Sequence, residues 1–338
     1  MAKITIKKIA QDLNMSRNTV SMALNNDPRV SEKTRLRVAN YVYSHNLAEY
    51  KVSKVSQPKP LDILVLKRLD QTAYWSRVIT GITDEAKRFN FIVTVSSVTQ
   101  EDIDHLCLPV GYSGRMDACL FLHKFSPEYC SMILKGIPIG IFLDYTDILH
   151  QDPIFGDIIC CESTRSMMKI TSSLIAQGMR RIAYVCPYYI NAESFYNRYM
   201  GYRAAMEYAD IPIDPDLVMT SYKPMDKTIL FQDAFSQFKT LPDAFVCCND
   251  ETALQFAKLL VEKGIRVPED CAITGFDNDE YVSFQPFLTT VESHAELMGR
   301  KLVQQLVWRL DHPDDPFEQI SIVSDPIYRH SSERFLTI

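Results

Sequence analysis

The chain has 338 residues, 46% of them hydrophobic and 11% aromatic, enough for one small and one larger packed unit rather than one minimal domain. No run of about 18 or more apolar residues occurs, and Met1-Ala2-Lys3-Ile4-Thr5 lacks an apolar core, which argues against a membrane span or secretory signal. The net charge of −6 alone argues against nucleic acid, but residues 1–60 hold eleven Lys and Arg against four acids, a surplus of +7 that leaves −13 for the rest. A basic head on an acidic body is the split expected when only the head meets phosphate, against the plainer reading of a solvated basic surface.

The head reads as three short helices. Thr5 is placed to cap a helix from Ile6 to about Leu13, with Ile9, Ala10 and Leu13 on one face. Asn14-Met15 makes a turn, and Ser16 caps a second helix, Arg17 to Leu24, with Val20, Ala23 and Leu24 inward and Arg17, Asn18 and Ser21 outward. Asn25-Asn26-Asp27-Pro28 breaks that helix, and Ser31 caps a third from Glu32 to about His45, with Leu36, Val38, Ala39 and Val42 apolar. Two helices joined by a short turn, the second presenting small polar and basic side chains at its start, is a helix-turn-helix, placed at residues 1–45. Residues 46–60, polar and basic and ending in Pro58-Lys59-Pro60, read as a linker.

From Leu61 short apolar runs alternate with amphipathic helical stretches. The runs are 61–66, 91–95, 118–122, 138–143, 158–161, 182–186, 244–248 and 272–276; the helices are 75–89, 164–177, 198–209, 251–263 and 295–310. Such βα repetition predicts an α/β body of parallel sheets covered on both faces, and about eight strands over residues 61–338 fit two doubly wound lobes better than one sheet. We place the first lobe at 61–157 and 294–318 and the second at 158–293 and 319–338. A ligand in such a fold sits at the carboxyl ends of strands, where loops from both lobes meet.

The nine cysteines are an odd number, lie in apolar runs such as Cys160-Cys161 and Cys247-Cys248, and include no Cys-x-x-Cys pair. They read as reduced core thiols of a cytoplasmic protein rather than a disulfide framework or zinc site. The seven histidines are scattered without ligand spacing, and no phosphate-cradling glycine loop, dinucleotide turn or nucleophile elbow appears. No catalytic residue, metal or cofactor is expected, and the chain reads as a non-enzyme.

Thr5-Ile-Lys-Lys-Ile-Ala, Met15-Ser-Arg-Asn-Thr-Val-Ser, and Pro28-Arg-Val-Ser-Glu-Lys-Thr-Arg together resemble the headpiece of the lactose-repressor (LacI/GalR) family. The body agrees in order: Gly178-Met-Arg-Arg-Ile-Ala, Arg198-Tyr-Met-Gly-Tyr-Arg-Ala-Ala, Cys248-Asn-Asp, Val267-Pro-Glu-Asp, Gly275-Phe-Asp, Leu288-Thr-Thr-Val and Met298-Gly-Arg. The resemblance implies a homodimer whose headpieces each enter a major groove of double-stranded operator DNA. It also implies a periplasmic-binding-protein-like body whose cleft takes a small effector, a carbohydrate first and a purine or nucleoside second. A transcription repressor is the expectation; an activator of the same fold, or a sugar- or nucleoside-binding protein without DNA binding, are the alternatives. Three departures stand out. Met22 occupies a usual arginine position; Ser56 falls where the hinge leucine that wedges into the minor groove belongs; and Glu162-Ser163 replaces a usual Asp-Asn.

Arg17 and Asn18, opening the second helix, suit the edges of guanine and adenine. Thr5, Ser16, Thr19, Ser21, Asn25, Arg29, Ser31 and Thr34 read as contacts to the DNA backbone, Ser16 and Ser31 doubling as helix caps. For the effector, the resemblance maps Asp144, Arg198, Asn249 and Asp277 onto contacting positions and Tyr74 and Trp75 onto an aromatic pair, with Tyr222 a weaker candidate. Each body residue has a plainer reading as a loop cap, a lobe-stabilising bond or core packing.

Overall fold

The computed structural model describes residues 5–25, 27–44, 60–69, 73–145, 153–189, 193–221, 240–279 and 287–333. The linker expectation at 46–60, its hinge departure at Ser56 and the candidate Tyr222 fall wholly or almost wholly outside those residues.

Three helices form the head: α1 (Ile6–Asp12), α2 (Arg17–Leu24) and α3 (Glu32–Ser44). Thr5 Oγ1 accepts from Lys8 N at 3.3 Å and Ser16 Oγ from Thr19 N at 3.0 Å, so two amides that each helix start would leave unpaired are satisfied by side chains. Ser31 does the same for Thr34 N at 3.2 Å. Ile9, Ala10, Val20, Ala23, Leu24, Val30, Val38 and Val42 close a core of their own. That self-contained core is why so short a segment can stand apart from the body.

The body begins with β1 (Asp62–Arg68), α4 (Ala73–Arg88), β2 (Ile92–Val98), α5 (Gln100–Asp104), β3 (Ala118–Phe121), α6 (Pro127–Leu134), β4 (Gly140–Leu143) and β5 (Asp157–Cys161). It continues through α7 (Thr164–Ala176), β6 (Ile182–Tyr189), α8 (Glu193–Tyr208), β7 (Val218–Ser221), β8 (Ala244–Cys247), α9 (Asp250–Glu262), β9 (Ala272–Thr274) and β10 (Thr290–Val291). It ends with α10 (Ala295–Asp311), β11 (Gln319–Ile322) and β12 (Pro326–Ile327).

One sheet has the order β11-β5-β4-β3-β1-β2, every neighbour parallel. In β1, Ile63 and Val65 pack with Val78, Ile82 and Leu302 on one face, while Leu64 and Leu66 pack with Tyr129 and Ile133 on the other. A strand buried on both faces reads as an unbroken apolar run, which is why these strands are legible as runs rather than alternations. The second sheet, β7-β6-β8-β9, is parallel as well, and β10 and β12 form a small antiparallel pair beside it, tied to it by a bridge between Thr274 and Thr289.

The boundary between the lobes differs from the sequence expectation. Residues 158–161 and 319–322 do not open the second lobe: β5 pairs with β4 and β11 pairs with β5, so both finish the first sheet. A strand is assigned by its hydrogen-bonded neighbour, and an apolar run does not say which sheet it joins. The chain therefore changes lobe three times, at 162–163, 292–294 and 323–325. In the first lobe α4 and α10 cross backbone to backbone: a Cβ on Gly81 would lie 2.0 Å from Glu296 O, and one on Gly299 would lie 2.0 Å from Val78 O. At the far end of α10, Asp311 faces Arg37 of α3 at 3.5 Å.

All nine cysteines are free thiols, eight of them buried. Among the described residues no helix is long and apolar enough to cross a membrane, and no group of three or more His, Cys, Asp or Glu is placed to hold a metal ion.

Candidate effector cleft and DNA-reading surface

Four of the seven effector candidates converge where the lobes meet. Arg198 projects from α8 of the second lobe, donating from Nη1 to the Cys248 carbonyl at 2.7 Å and from Nη2 to Asp277 Oδ1 at 3.1 Å. Its guanidinium lies 3.8 Å from the centre of the Phe276 ring. Both ions of the Arg198–Asp277 pair are buried, with side chains 6% and 9% exposed, and Arg198 Nε has no hydrogen-bond partner among the described residues. A buried donor left unpaired is costly in a folded chain, so it marks a place where a further acceptor would be welcome.

The first lobe supplies Tyr74 and Asp144 to the same place. Burial first, and then the carboxyls of Asp144 and Asp277, push the Tyr74 phenol well above its usual range. Asp144 follows β4 in the left-handed region at φ 52°, and its Oδ1 is sealed from solvent without a partner among the described residues. Burial, reinforced by Glu193, raises the Asp144 carboxyl to about 7 against the pull of Arg198. Burial likewise raises Asp277 to about 7, against the same guanidinium. Burial opposes the charge of Arg198, but Asp277 opposite it holds the guanidinium protonated, above its ordinary value. The site thus joins one permanent cation to two carboxyl groups poised between charged and neutral, and favours a ligand rich in donors.

The other candidates sit differently. Trp75 is half-buried, its ring tilted 31° against that of His123 with centroids 3.8 Å apart and edge-on to Tyr74 at 4.9 Å. Asn249 caps α9: its Oδ1 accepts from Thr252 N at 3.0 Å, the plainer reading the sequence allowed. Asp250 beside it is wholly buried and accepts from Thr290 Oγ1 at 2.6 Å and Asp279 N at 3.0 Å, which ties the end of β8 to the loop after β9.

Sequence reasoning missed Glu193, Arg77, Asn278 and Glu292. Glu193 starts α8, is buried, and accepts from Gln319 Nε2 of the first lobe at 2.9 Å. Its only signal was an acid at the start of a helix that the sequence reading began five residues late. The Glu162-Ser163 departure has a local use: Glu162 Oε1 accepts from Arg165 N at 2.8 Å and so caps α7, while Ser163 makes no side-chain cap bond.

In the head, Arg17 and Asn18 are exposed on the first turn of α2, and Ser16 Oγ and Thr19 Oγ1 lie 2.8 Å apart beside them. Asn25 Nδ2 donates to Ser21 O at 2.9 Å, which ends the helix. Arg29 is engaged with Asp27, at 2.6 Å from Nη2 to Oδ2, and its guanidinium lowers the Asp27 carboxyl to about 2. An exposed pair of this kind is weak and exchanges readily for a phosphate partner.

Comparison with known proteins agrees with this arrangement end to end. Residues 5–48 match bacterial regulatory proteins of the lacI family, and residues 171–332 match a periplasmic binding protein-like domain. The chain is 27% identical to an HTH-type transcriptional repressor PurR of Haemophilus influenzae over 350 residues, covering 98% of this chain and 99% of that protein. A PurR of Histophilus somni is 25% identical over 343 residues, covering 97% and 98%. Among solved structures, a complex of the transcriptional regulator CelR with cellobiose superimposes with a TM-score of 0.68 at 22% identity, covering 97% of this chain and 99% of that one. A lac repressor dimer bound to operator and an anti-inducer gives 0.66 at 20% identity, covering 98% and 99%. A regulator from Enterococcus faecium with bound ribose gives 0.66 at 22% identity, covering 80% and 98%. With a lacI-type helix-turn-helix head, a periplasmic binding protein-like body and relatives that are transcription repressors along their whole length, the chain is a DNA-binding transcription repressor governed by a small effector.

Proposed function

We propose that the effector is a carbohydrate held between Tyr74 and Asp144 of the first lobe and Arg198 and Asp277 of the second. The convergence of these groups from both lobes carries the reading: Asp144 Oδ1 and Arg198 Nε are a sealed acceptor and a sealed donor, both unpartnered among the described residues. Hydroxyl groups both donate and accept, so a polyol satisfies the two together. Cellobiose and ribose in the structural neighbours favour the same chemistry. A purine or nucleoside is the second reading, favoured by Trp75, whose half-buried ring beside Tyr74 offers a face for a planar base. Asn249 joins the site through the part of its amide that does not cap α9; Tyr222, outside the described residues, is the weaker candidate.

The protein acts as a cytoplasmic homodimer. Arg17 and Asn18 read base edges, and Thr5, Ser16, Thr19, Ser21, Asn25, Arg29, Ser31 and Thr34 hold the backbone. The head spans residues 1–45 and the linker 46–60, with the body from 61.

The deciding experiment is a thermal-shift screen of the intact chain against mono- and disaccharides, purine bases and nucleosides. A ligand at 100 times its Kd stabilises the folded state by about 2.7 kcal/mol. A shift with saccharides that Asp144→Asn and Asp277→Ala both remove supports the carbohydrate reading; a shift with bases alone transfers the site to the second.

A further inference from the structure

The geometry points to a function for two residues outside the cleft: we propose that Arg77 and Glu292 form an interlobe latch that positions the Asp277–Asn278 turn for the effector. Arg77 lies on α4, one helical turn beyond Tyr74. Its Nη1 crosses to the second lobe and donates to the Asn278 carbonyl at 2.8 Å, and Nη2 reaches Glu292 Oε1, on a crossing segment, at 3.3 Å. Glu292 closes the ring: Oε2 accepts from Asn278 Nδ2 at 2.6 Å, and Oε1 accepts from His294 N, at the head of α10, at 2.9 Å. From the second lobe's own side Arg329 Nη2 donates to Asn278 Oδ1 at 2.9 Å, and from the crossing segment Ser293 Oγ donates to the Asp277 carbonyl at 3.0 Å.

The backbone at this turn gives the ring its purpose. Asp277, Asn278 and His294 have φ of 113°, 47° and 54°, a left-handed region that side chains other than glycine rarely adopt. Such residues persist only where the surroundings over-determine them. At Asn278 the backbone carbonyl and both side-chain amide atoms are engaged, and Arg77 is the first-lobe side chain that engages the carbonyl. Separation of the lobes would withdraw Arg77, take its hydrogen bond from that carbonyl, and remove the cation that pairs with Glu292 and acts on the Asp279 carboxyl. The turn that aims Asp277 at Arg198 is therefore tied to the first lobe through Arg77. An effector that bridges Asp144 and Asp277 pulls the same way, and latch and effector strengthen one another by linkage.

The proposal rests on the reading of Asp277 as an effector contact, so its test uses the ligand-free full chain and reads the latch alone. Residue-resolved hydrogen exchange is measured for wild type, Arg77→Ala, Arg77→Lys and Glu292→Gln. Arg77→Ala is expected to speed exchange about tenfold or more at the amides of Asn278, Asp279 and His294, which donate to Thr290 Oγ1, Asp250 Oδ2 and Glu292 Oε1, and to leave Tyr184 and Val185 in β6 unchanged. Lysine supplies a point charge but no fork, so Arg77→Lys is expected to keep His294 protected and lose Asn278. Glu292→Gln, which keeps shape, is expected to expose His294 first. Wild-type exchange at these amides in Arg77→Ala overturns the latch, as does a uniform rise through both lobes. If the saccharide and base screens instead move independently of Asp277, the effector reading fails while the latch stands.

Discussion

Asp144 and Asp277 titrate close to neutrality because burial outweighs the one guanidinium that serves both, and this fixes how the ligand-free body responds to pH. A carboxyl whose folded pKa is raised from 3.8 to about 7 stabilises the fold in its neutral form, so the benefit is full below the ordinary value and fades as pH climbs through 7. The melting temperature of the full chain should fall from pH 5 to pH 8. Asp144→Asn, isosteric and always neutral, should flatten that fall and melt a few degrees above wild type at pH 8. A parallel decline in both proteins would place Asp144 in a wetter setting than its sealed Oδ1 indicates. At the other end of the chain, Arg17→Ala should cost roughly 1–3 kcal/mol on operator and relax one base position if Arg17 grips a guanine edge. Equal loss on operator and random duplex would make it a backbone anchor. Asp277→Ala should erase the effector response and leave effector-free operator affinity within about threefold, since the residues proposed to read DNA lie on a separate core.

At the scale of elements, what the sequence made legible follows from which signals are local. Caps and helix faces are local: Thr5, Ser16 and Ser31 bind the amides their positions imply, and α1 to α3 fall within a residue of the expected ends. Fully buried strands such as β3 and β8 are equally local, because both faces need apolar residues. By contrast, β10 and β12 have two residues each, and the four residues of β11 are exposed or half-buried, so no run betrays them. The side of the cleft on which β5 falls is set by its neighbours β4 and β11, which an apolar run does not name, and the Glu193–Gln319 bond and the bonds of Arg77 depend on segments 126 to 215 residues apart. Asn249 shows the limit within one residue: a strand-end amide reads as a ligand group, yet its Oδ1 caps α9. Asn249→Ala should therefore lower stability by about 1 kcal/mol in urea unfolding without ligand. The α4–α10 crossing makes a stronger demand. Gly299→Ala would drive a methyl into the Val78 carbonyl and should cost about 1–3 kcal/mol or more, the two helices being forced apart.

Across the whole molecule, charge and packing divide the labour. The head closes its own core, so its fold does not depend on the state of the cleft. Helix α10 runs from the crossing segment that carries Glu292 to Asp311, which faces Arg37 of α3, and α4 is locked against it through Gly81 and Gly299. The packed helix pair thus joins the edge of the cleft to the base of the head, while the basic charge lies in the head. The surplus of +7 in residues 1–60 against −13 in the remainder makes that division testable. Phosphate contacts release condensed counterions, so log affinity should fall linearly with log salt concentration at about 0.9 per phosphate contacted. Between 50 and 200 mM salt a protein making 6–10 such contacts loses about 10³–10⁵ in affinity. Operator binding by the intact chain should show a slope of that order, and a chain of residues 61–338 should retain ligand-induced thermal shifts while losing operator binding at every salt concentration. The acidic body adds repulsion rather than contacts, so exchanging surface acids of the second lobe for amides should leave the slope unchanged. An intact chain whose operator affinity is the same at both salt concentrations would refute the electrostatic account of the head.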